Sequence, residues 1–251
     1  MRNWLESFLI RDLRLMATLD RLEGPGESVV ATLGQRETFE SLLGGIVQDR
    51  GWCSDVALRS SVDRLGFSTY ILLDLGTLGR LRCDIWPARE RGSLEDVHDN
   101  GFALYSSMIT GSVINHLFDF DESGREYEHF QPVNFEDPYG DLKRLAKVRL
   151  RETANFRVVA GESYSLGPKA IYGLEAGPDL CIYLSLECRY QDEPVGVFVP
   201  DGGDPFQRKN RIGFSLEDTR SRLAALLQDL QETLADGKRN EVSSRKEGRF
   251  D

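Results

Sequence analysis

The residues best suited to chemistry lie in the segment from Trp86 to Gly111. This segment holds His98 and Asn100, two positions apart where a strand is predicted to begin. Because side chains two positions apart on a strand point to the same side, His98 and Asn100 would face one space. Imidazole is both a common metal ligand and a general base near neutral pH, and an amide beside it can orient a substrate. The spacing therefore indicates a site at His98 with Asn100 beside it.

The elements around this segment read as short strands. The chain from Phe67 onward has a period of two, most clearly over 80–86, where apolar and polar residues alternate strictly. The predicted strands are 68–75, 80–86, 102–110, 112–118, 145–151, 156–160, 162–166, 170–174, 180–188 and 195–199. Turn signals separate them, and no helix is predicted between them. This pattern favours an antiparallel barrel or sandwich over a parallel sheet.

Amphipathic helices are predicted at both ends of the chain. Apolar residues at spacings of three and four predict helices over 3–22 and about 37–49. A leucine stripe predicts a final helix over 215–236, and Ser215 with Asp218 three residues later resembles an N-terminal capping box. These helices are expected to pack on the main core.

We expect a single domain spanning 1–236. Residues 1–60 would form a helical extension and 67–200 the barrel, followed by the C-terminal helix. The segment 119–140 lacks a clear period and is predicted to be a loop over one end of the barrel. Residues 238–251 mix charge with serine, so they are predicted to be a disordered tail.

Composition argues against several partners. The chain has 31 Lys and Arg against 41 Asp and Glu, a net charge of -10, so it repels nucleic acid. The four cysteines show no CxxC pair or metal-finger spacing, which predicts reduced thiols. No apolar run approaches the ~20 residues needed to span a bilayer, and the N-terminus lacks a signal-peptide core. We expect a cytoplasmic protein without a membrane partner.

Residues 68–200 resemble the cupin superfamily, and within it the thiol-dioxygenase-like branch. That family's first motif is His-x-His, an acidic residue four positions later and a glycine turn; here it reads His98-Asp99-Asn100, Leu104 and Gly111. The second motif opens with glycine, passes a proline turn and supplies a further histidine. The stretch from Gly161 to Tyr172 follows that outline, with Tyr172 at the histidine position. The resemblance implies a mainly β fold, a double-stranded β-helix (jelly-roll) barrel with helices at both ends.

The resemblance also implies a catalytic centre made of His98, Asn100 and Tyr172. In that branch the centre binds Fe²⁺ and performs dioxygenase chemistry, so His98 would be the metal ligand. A neutral amide and a phenol are weak ligands for a divalent transition metal compared with imidazole or carboxylate. A metal-free site is therefore an open alternative, in which Tyr172 and His98 transfer a proton inside a dry barrel.

The other two histidines, His116 and His129, are further candidate metal ligands. A two-residue hairpin turn at Thr110-Gly111 would set Ser106 opposite Asn115, which places Asn115 inside the barrel and His116 outside. A register shift of one residue would reverse this. His129 belongs to the acidic segment 119–140, which either lends a ligand across the barrel mouth or is simply solvated.

The expected substrate-binding residues are Arg82, Ser106 and Tyr70. The thiol-dioxygenase-like branch carries a carboxylate-binding arginine early in the barrel, where this chain has none over 67–75; Arg82 is the nearest candidate. Strand parity sets Arg82 opposite Leu81 and Cys83, and one of the two faces must look into the barrel. We expect the apolar face to do so. If the polar face does, an anionic ligand is implied.

Two functions are consistent with these residues. The first is a divergent cupin enzyme that acts on a small polar metabolite, with oxygen-dependent or isomerase-like chemistry at His98. The second is a metal-free cupin that binds a ligand or serves as a dimerisation module without catalysis. The resemblance further implies a homodimer.

Overall fold

A computed structural model describes residues 1–19, 25–62, 67–88, 97–133, 142–188, 195–203 and 212–247. Side chains are described for these residues except 12–19, 25 and 233–247. Within this part of the chain, no helix is long and apolar enough to cross a membrane.

Two antiparallel sheets form the centre of the molecule. The first sheet contains, in spatial order, β12 (Ile212–Gly213), β1 (Ser61–Val62), β2 (Ser68–Asp74), β3 (Gly79–Trp86), β10 (Cys181–Cys188), β5 (Ala103–Thr110) and β8 (Ser163–Leu166). The second contains β11 (Val197–Pro200), β4 (Val97–His98), β9 (Ile171–Ala176), β6 (Ser112–Pro132) and β7 (Leu142–Val159). Side chains from both sheets meet in one apolar cluster, which includes Met108 and Tyr183 from the first and Tyr172 and Leu174 from the second. The fold is thus mainly β and cupin-like, as predicted.

Helices cover the other face of the first sheet. They are α1 (Arg2–Leu19), α2 (Pro25–Leu33), α3 (Arg36–Gln48), α4 (Arg50–Arg59) and α5 (Leu216–Glu247). The largest core cluster joins buried residues of these helices to the sheet, among them Phe39, Trp52, Leu81, Leu184 and Leu223. Burying this much apolar surface supplies most of the stability of such a fold.

Two helices were not predicted. The first, α2, begins at Pro25 between the two predicted N-terminal helices, and proline is well tolerated at the first helical position. Asp49 caps α4 by accepting a hydrogen bond from the Trp52 amide at 2.9 Å. At the other end, α5 continues past the predicted end at 236. The predicted tail, 238–251, lies partly in this helix and partly outside the described residues, and its disorder stays a prediction.

The predicted loop over 119–140 is wrong as far as Pro132. β6 runs through this segment and pairs with β7 in a long hairpin whose register is interrupted between Phe120 and Arg125. The far half of β6 also pairs with β11, so the second sheet closes on itself. The acidic side chains of this segment made it look like a solvated loop in the sequence. In the strand they form cross-strand ion pairs, such as Glu128 with Arg144 at 2.7 Å. The rest of the segment, 134–140, lies outside the described residues.

The predicted hairpin at Thr110-Gly111 is also wrong. β5 belongs to the first sheet and β6 to the second, so the chain crosses between sheets here. Gly111 has a φ of +78°, and a Cβ at this position would lie 2.5 Å from the Leu180 carbonyl oxygen. Glycine is needed because the crossing requires both left-handed backbone and close approach.

Candidate functional site between the sheets

His98, Tyr172 and Asn100 meet on the second sheet. β4 pairs with β9 so that His98 lies directly opposite Tyr172. The His98 Nε2 atom is 3.1 Å from the Tyr172 hydroxyl oxygen, and Asn100 Nδ2 donates to the same oxygen at 2.9 Å. Tyr172 and Asn100 are buried, whereas His98 is only half-buried. The structure therefore brings together the three residues expected to be catalytic.

The hydrogen bonds of this trio allow one simple arrangement of its protons. Because Asn100 donates to the phenol oxygen, the Tyr172 hydroxyl can itself donate to His98 Nε2. A neutral His98 would then accept at Nε2 and carry its own proton on Nδ1. The backbone holds Asn100 in place, since its carbonyl oxygen accepts a hydrogen bond from the Lys169 amide at 2.7 Å. This geometry would allow a proton to pass between Tyr172 and His98, with the Asn100 amide holding the phenol oxygen in place.

The polar face of β3, not the apolar one, looks toward the second sheet. Leu81 and Cys83 pack under the helices, while Trp86, on the opposite parity, belongs to the cluster between the sheets. The expectation that the apolar face lines the barrel is therefore wrong. The physical reason is that the helical layer needs an apolar surface to cover, and the sequence pattern of β3 does not show which face that layer takes.

Arg82 lies in a buried ionic network on this interior face. Its guanidinium is 2.7 Å from an oxygen of Asp84 and 2.7 Å from an oxygen of Glu187, and Arg80 also pairs with Glu187. Asp84 and Glu187 are 1% and 0% exposed. Thr69 adds a hydrogen bond of 2.6 Å to Asp84. The charges of the two arginines and two carboxylates balance. Arg82 therefore attracts an anionic ligand far less strongly than an unpaired arginine would.

Ser106 shares the interior face with this network. Its hydroxyl is 2.8 Å from that of Ser185, and both side chains are fully buried. β10 pairs Ser185 with Arg82, and β5 pairs Ser106 with Tyr164 of β8. Arg82 and Ser106 thus belong to one polar row across the first sheet, and their substrate-binding roles stay predictions.

Tyr70 does not join them. Its side chain lies in the core under the helices and stacks on Phe214 with ring centroids 5.3 Å apart. Burial raises the pKa of Tyr70 to about 12. Because β2 turns this side chain away from the second sheet, Tyr70 cannot contact a ligand held between the sheets.

His116 points away from the interior, which is one of the two orientations that the sequence left open, and the hairpin considered there does not exist. Its ring nitrogens lie 3.1 Å from Glu152 and 3.5 Å from Glu175 on the outer face of the second sheet. Asn115, its neighbour, is fully buried. His116 is therefore not a ligand partner for His98.

His129 lies on the opposite face of the second sheet from His98. His129 pairs with Phe198, and Phe198 pairs with Val97, so these three side chains face the same side of the sheet. His98 follows Val97 directly, and adjacent residues of a strand face opposite sides. Its ring stacks on Phe198 at 4.7 Å. Burial lowers the pKa of His129, although nearby Asp99 acts to raise it. The two histidines cannot share one metal ion.

The residues present do not fit an iron centre. No group of three histidine, cysteine or carboxylate side chains suited to a metal ion occurs among the described residues. At the expected centre, the Asn100 amide presents its nitrogen, a donor, and the Tyr172 hydroxyl occupies the bonding position of His98 Nε2. Non-haem iron sites require histidine and carboxylate donors with lone pairs facing one point.

Several of the similar solved structures are cupin or cupin-like proteins. No protein-family model matches the sequence, and no curated protein does. Similar solved structures include an RmlC-like cupin from Shewanella frigidimarina (13% identity, 50% of this chain and 78% of that chain, TM-score 0.29). A cupin-like protein from Thermotoga maritima has 6% identity over 61% of this chain and 89% of that chain, with a TM-score of 0.34. A structure of DMSP lyases has 14% identity over 51% of either chain, with a TM-score of 0.32.

The chain thus spans about half the length of the lyase that it resembles. The cupin-like fold stated above follows from the two sheets themselves, and the thiol-dioxygenase-like branch stays a prediction.

Sequence reasoning missed two interior residues, Glu187 and Ser185, whereas Asp84 was expected in the interior only if the polar face of β3 looked inward. Asp84 was visible as part of the polar face of β3, and its position follows once that face is known. Glu187 and Ser185 lie within the run 180–188, where the polar residues at alternate positions were the available signal. Polar residues at every second position of a strand buried on both faces indicate a polar interior.

Proposed function

We propose that this chain is a metal-independent cupin-like enzyme that binds a small polar metabolite between the two sheets and moves a proton on it. The observation that carries the proposal is the shared hydroxyl of Tyr172, bonded by both His98 and Asn100. In this mechanism Tyr172 faces the ligand, and His98, which is half-buried, exchanges the proton with solvent.

Each residue of the trio has a different role in this proton transfer. Tyr172 removes a proton from the ligand through its hydroxyl oxygen as its own proton passes to His98 Nε2. The Asn100 amide stabilises negative charge that develops on the phenol oxygen, because a donor aimed at that oxygen strengthens as the charge grows. Return of the proton to another atom of the ligand completes an isomerisation. Such chemistry needs neither oxygen nor a metal ion.

The buried polar row of the first sheet supports a polar ligand. Groups such as Arg82, Ser106 and Ser185 are costly to bury, and an apolar interior would stabilise the fold better. An iron-dependent dioxygenase is the less supported alternative because the donor set of the trio does not fit iron. A binding module without catalysis would retain the polar row but would not need the proton-transfer pair.

Deuterium exchange tests this proposal. The protein is incubated in D₂O with EDTA and a panel of small polar carbonyl compounds, and mass spectrometry detects deuterium gained by each compound. We expect exchange of at least one compound that resists EDTA and falls at least a hundredfold in Tyr172→Phe.

Tyr70→Phe is the matched control, since it removes a tyrosine hydroxyl from the core under the helices, away from the space between the sheets. Exchange that EDTA abolishes would favour the iron enzyme. Exchange of no compound, together with ligand binding, would favour the binding module.

A further inference from the structure

Asn115 is a fully buried polar side chain that the proposed mechanism does not use. It is 0% exposed, and neither its amide nitrogen nor its amide oxygen has a hydrogen-bond partner among the described residues. Leaving a buried donor or acceptor unpaired is costly, so an amide with both unpaired is exceptional. Such a side chain indicates a ligand group that completes its hydrogen bonds.

The Asn115 side chain points into the space between the sheets. Its neighbours on β6 at alternate positions, Val113 and Leu117, both belong to the cluster formed there. β6 pairs Asn115 with Leu174 on one side and Phe156 on the other. Leu174 is two residues from Tyr172, so Asn115 lies on the same sheet face as the proton-transfer pair.

Asn115 and the polar row of the first sheet lie on the facing surfaces of the two sheets and are linked through one aromatic contact. Phe156, the cross-strand neighbour of Asn115, contacts the ring of Tyr164 with centroids 5.8 Å apart. Tyr164 pairs with Ser106, which bonds to Ser185. Asn115 and the polar row therefore border one interior region.

The charges around this region determine the ligand's charge. Among the described residues, Arg80 and Arg82 pair with Asp84 and Glu187, so the charges of this network balance. A charged ligand beside a balanced network would lose its hydration for little gain in attraction, which is unfavourable in a buried space. An uncharged ligand avoids this cost.

We propose that the ligand is an uncharged polar molecule with an amide-type group, a donor and an acceptor side by side, and that Asn115 binds this group. An asparagine amide presents the same pair and can form two parallel hydrogen bonds with it, as it does with an adenine edge. The proposal rests on the proposed function, since it places the ligand in the same space, and it names the class of ligand.

Binding of hydantoin, a cyclic ureide, tests the proposal. Saturation-transfer NMR on the full chain compares hydantoin with 1,3-dimethylhydantoin, which lacks the N–H donors, and with succinate, which is charged. We expect hydantoin to bind and the other two to bind at least tenfold more weakly. Asn115→Leu should lose hydantoin binding at least tenfold, whereas Asn155→Leu, an exposed control on β7, should retain it.

Thermal unfolding supplies a second readout. Removing an unpaired buried amide should raise the Tm of Asn115→Leu by about 2–4 °C, since about 1 kcal/mol shifts Tm by that amount in a chain of this size. The proposal would be overturned if hydantoin did not bind, if it bound equally well to Asn115→Leu, or if the three probes bound equally. A Tm of Asn115→Leu that does not rise would overturn it as well. Hydantoin binding to His98→Ala distinguishes the role of Asn115 from the proposed proton transfer. Binding through Asn115 should persist in His98→Ala even if the protein does not transfer a proton.

Discussion

The two faces of the first sheet differ in composition although the same strands form both. On β10, Leu184 and Leu186 pack under the helices, while Ser185 and Glu187 face the second sheet. All four side chains are at most 1% exposed. The contrast shows that this fold derives its apolar core largely from the helical layer, so the interior between the sheets can carry polar groups.

The largest effect should come from the helix-facing side. Leu184→Ala removes a fully buried side chain from a central strand, and we expect it to destabilise the protein by about 2–5 kcal/mol. The matched change on the other side is Ser106→Ala with Ser185→Ala, which removes both partners of one hydrogen bond and should be nearly neutral. Urea denaturation measures both. Equal losses would show that the two faces contribute equally to stability.

A smaller loss should follow from breaking the ionic network. Glu187→Gln leaves two arginines with a single carboxylate, and we expect a loss of about 3 kcal/mol. The value is at the low end for buried pairs because the Arg80 and Arg82 side chains are 21% and 18% exposed. Glu217→Gln, at the start of α5, is a surface control that should change stability little. Equal denaturation midpoints for the two variants would mean that the network does not hold the interior.

Tyr172→Phe should have a smaller effect on stability and a clear one on His98. The ring stays, but Asn100 loses its acceptor, so we expect a loss of about 1–2 kcal/mol. Long-range ¹H–¹⁵N NMR of the three histidines should show neutral His98 protonated on Nδ1 in the native protein, and that preference should disappear in the variant. A His98 spectrum that is identical in both proteins would rule out the proton-transfer pair.

The smallest effect should be the pH dependence contributed by His129. Burial lowers its pKa in the folded state, so the unfolded state binds the proton more readily. The stability from neutral His129 is present above about pH 6.5, the usual pKa, and is lost as pH falls through the lowered folded value. His129→Phe retains stacking on Phe198 and should show a flatter stability profile below pH 6.5. Denaturation midpoints from pH 7 to 5 test this; parallel profiles would exclude His129 as a source of acid sensitivity.

Sequence reasoning predicted most of the shorter strands from their period of two, which is a local property, and the resemblance to cupins implied that His98, Asn100 and Tyr172 meet. It could not predict which face of β3 looks inward. The alternation of residues such as Leu81 and Arg82 is the same whichever face the helices cover. It also placed Asn115 inside correctly, although from a hairpin that is absent: parity along β6 was right while its pairing was not.

The long β6–β7 hairpin was missed for a different reason. The alternation over 145–151 and 156–160 did predict strands within β7, but acidic residues such as Glu126 and Glu128 made the far half of β6 look like a solvated loop. The strand conformation of that half depends on its pairing with β7, which the sequence pattern alone does not reveal.

Metal content most directly tests the claim that His98 works without a metal ion. The native chain and His98→Ala are purified without oxygen and without an affinity metal, and elemental analysis quantifies transition metals in each. We expect far less than one metal ion per chain in both proteins, with both folded. Near-stoichiometric iron or another transition metal in the native chain that disappears in His98→Ala would contradict the account.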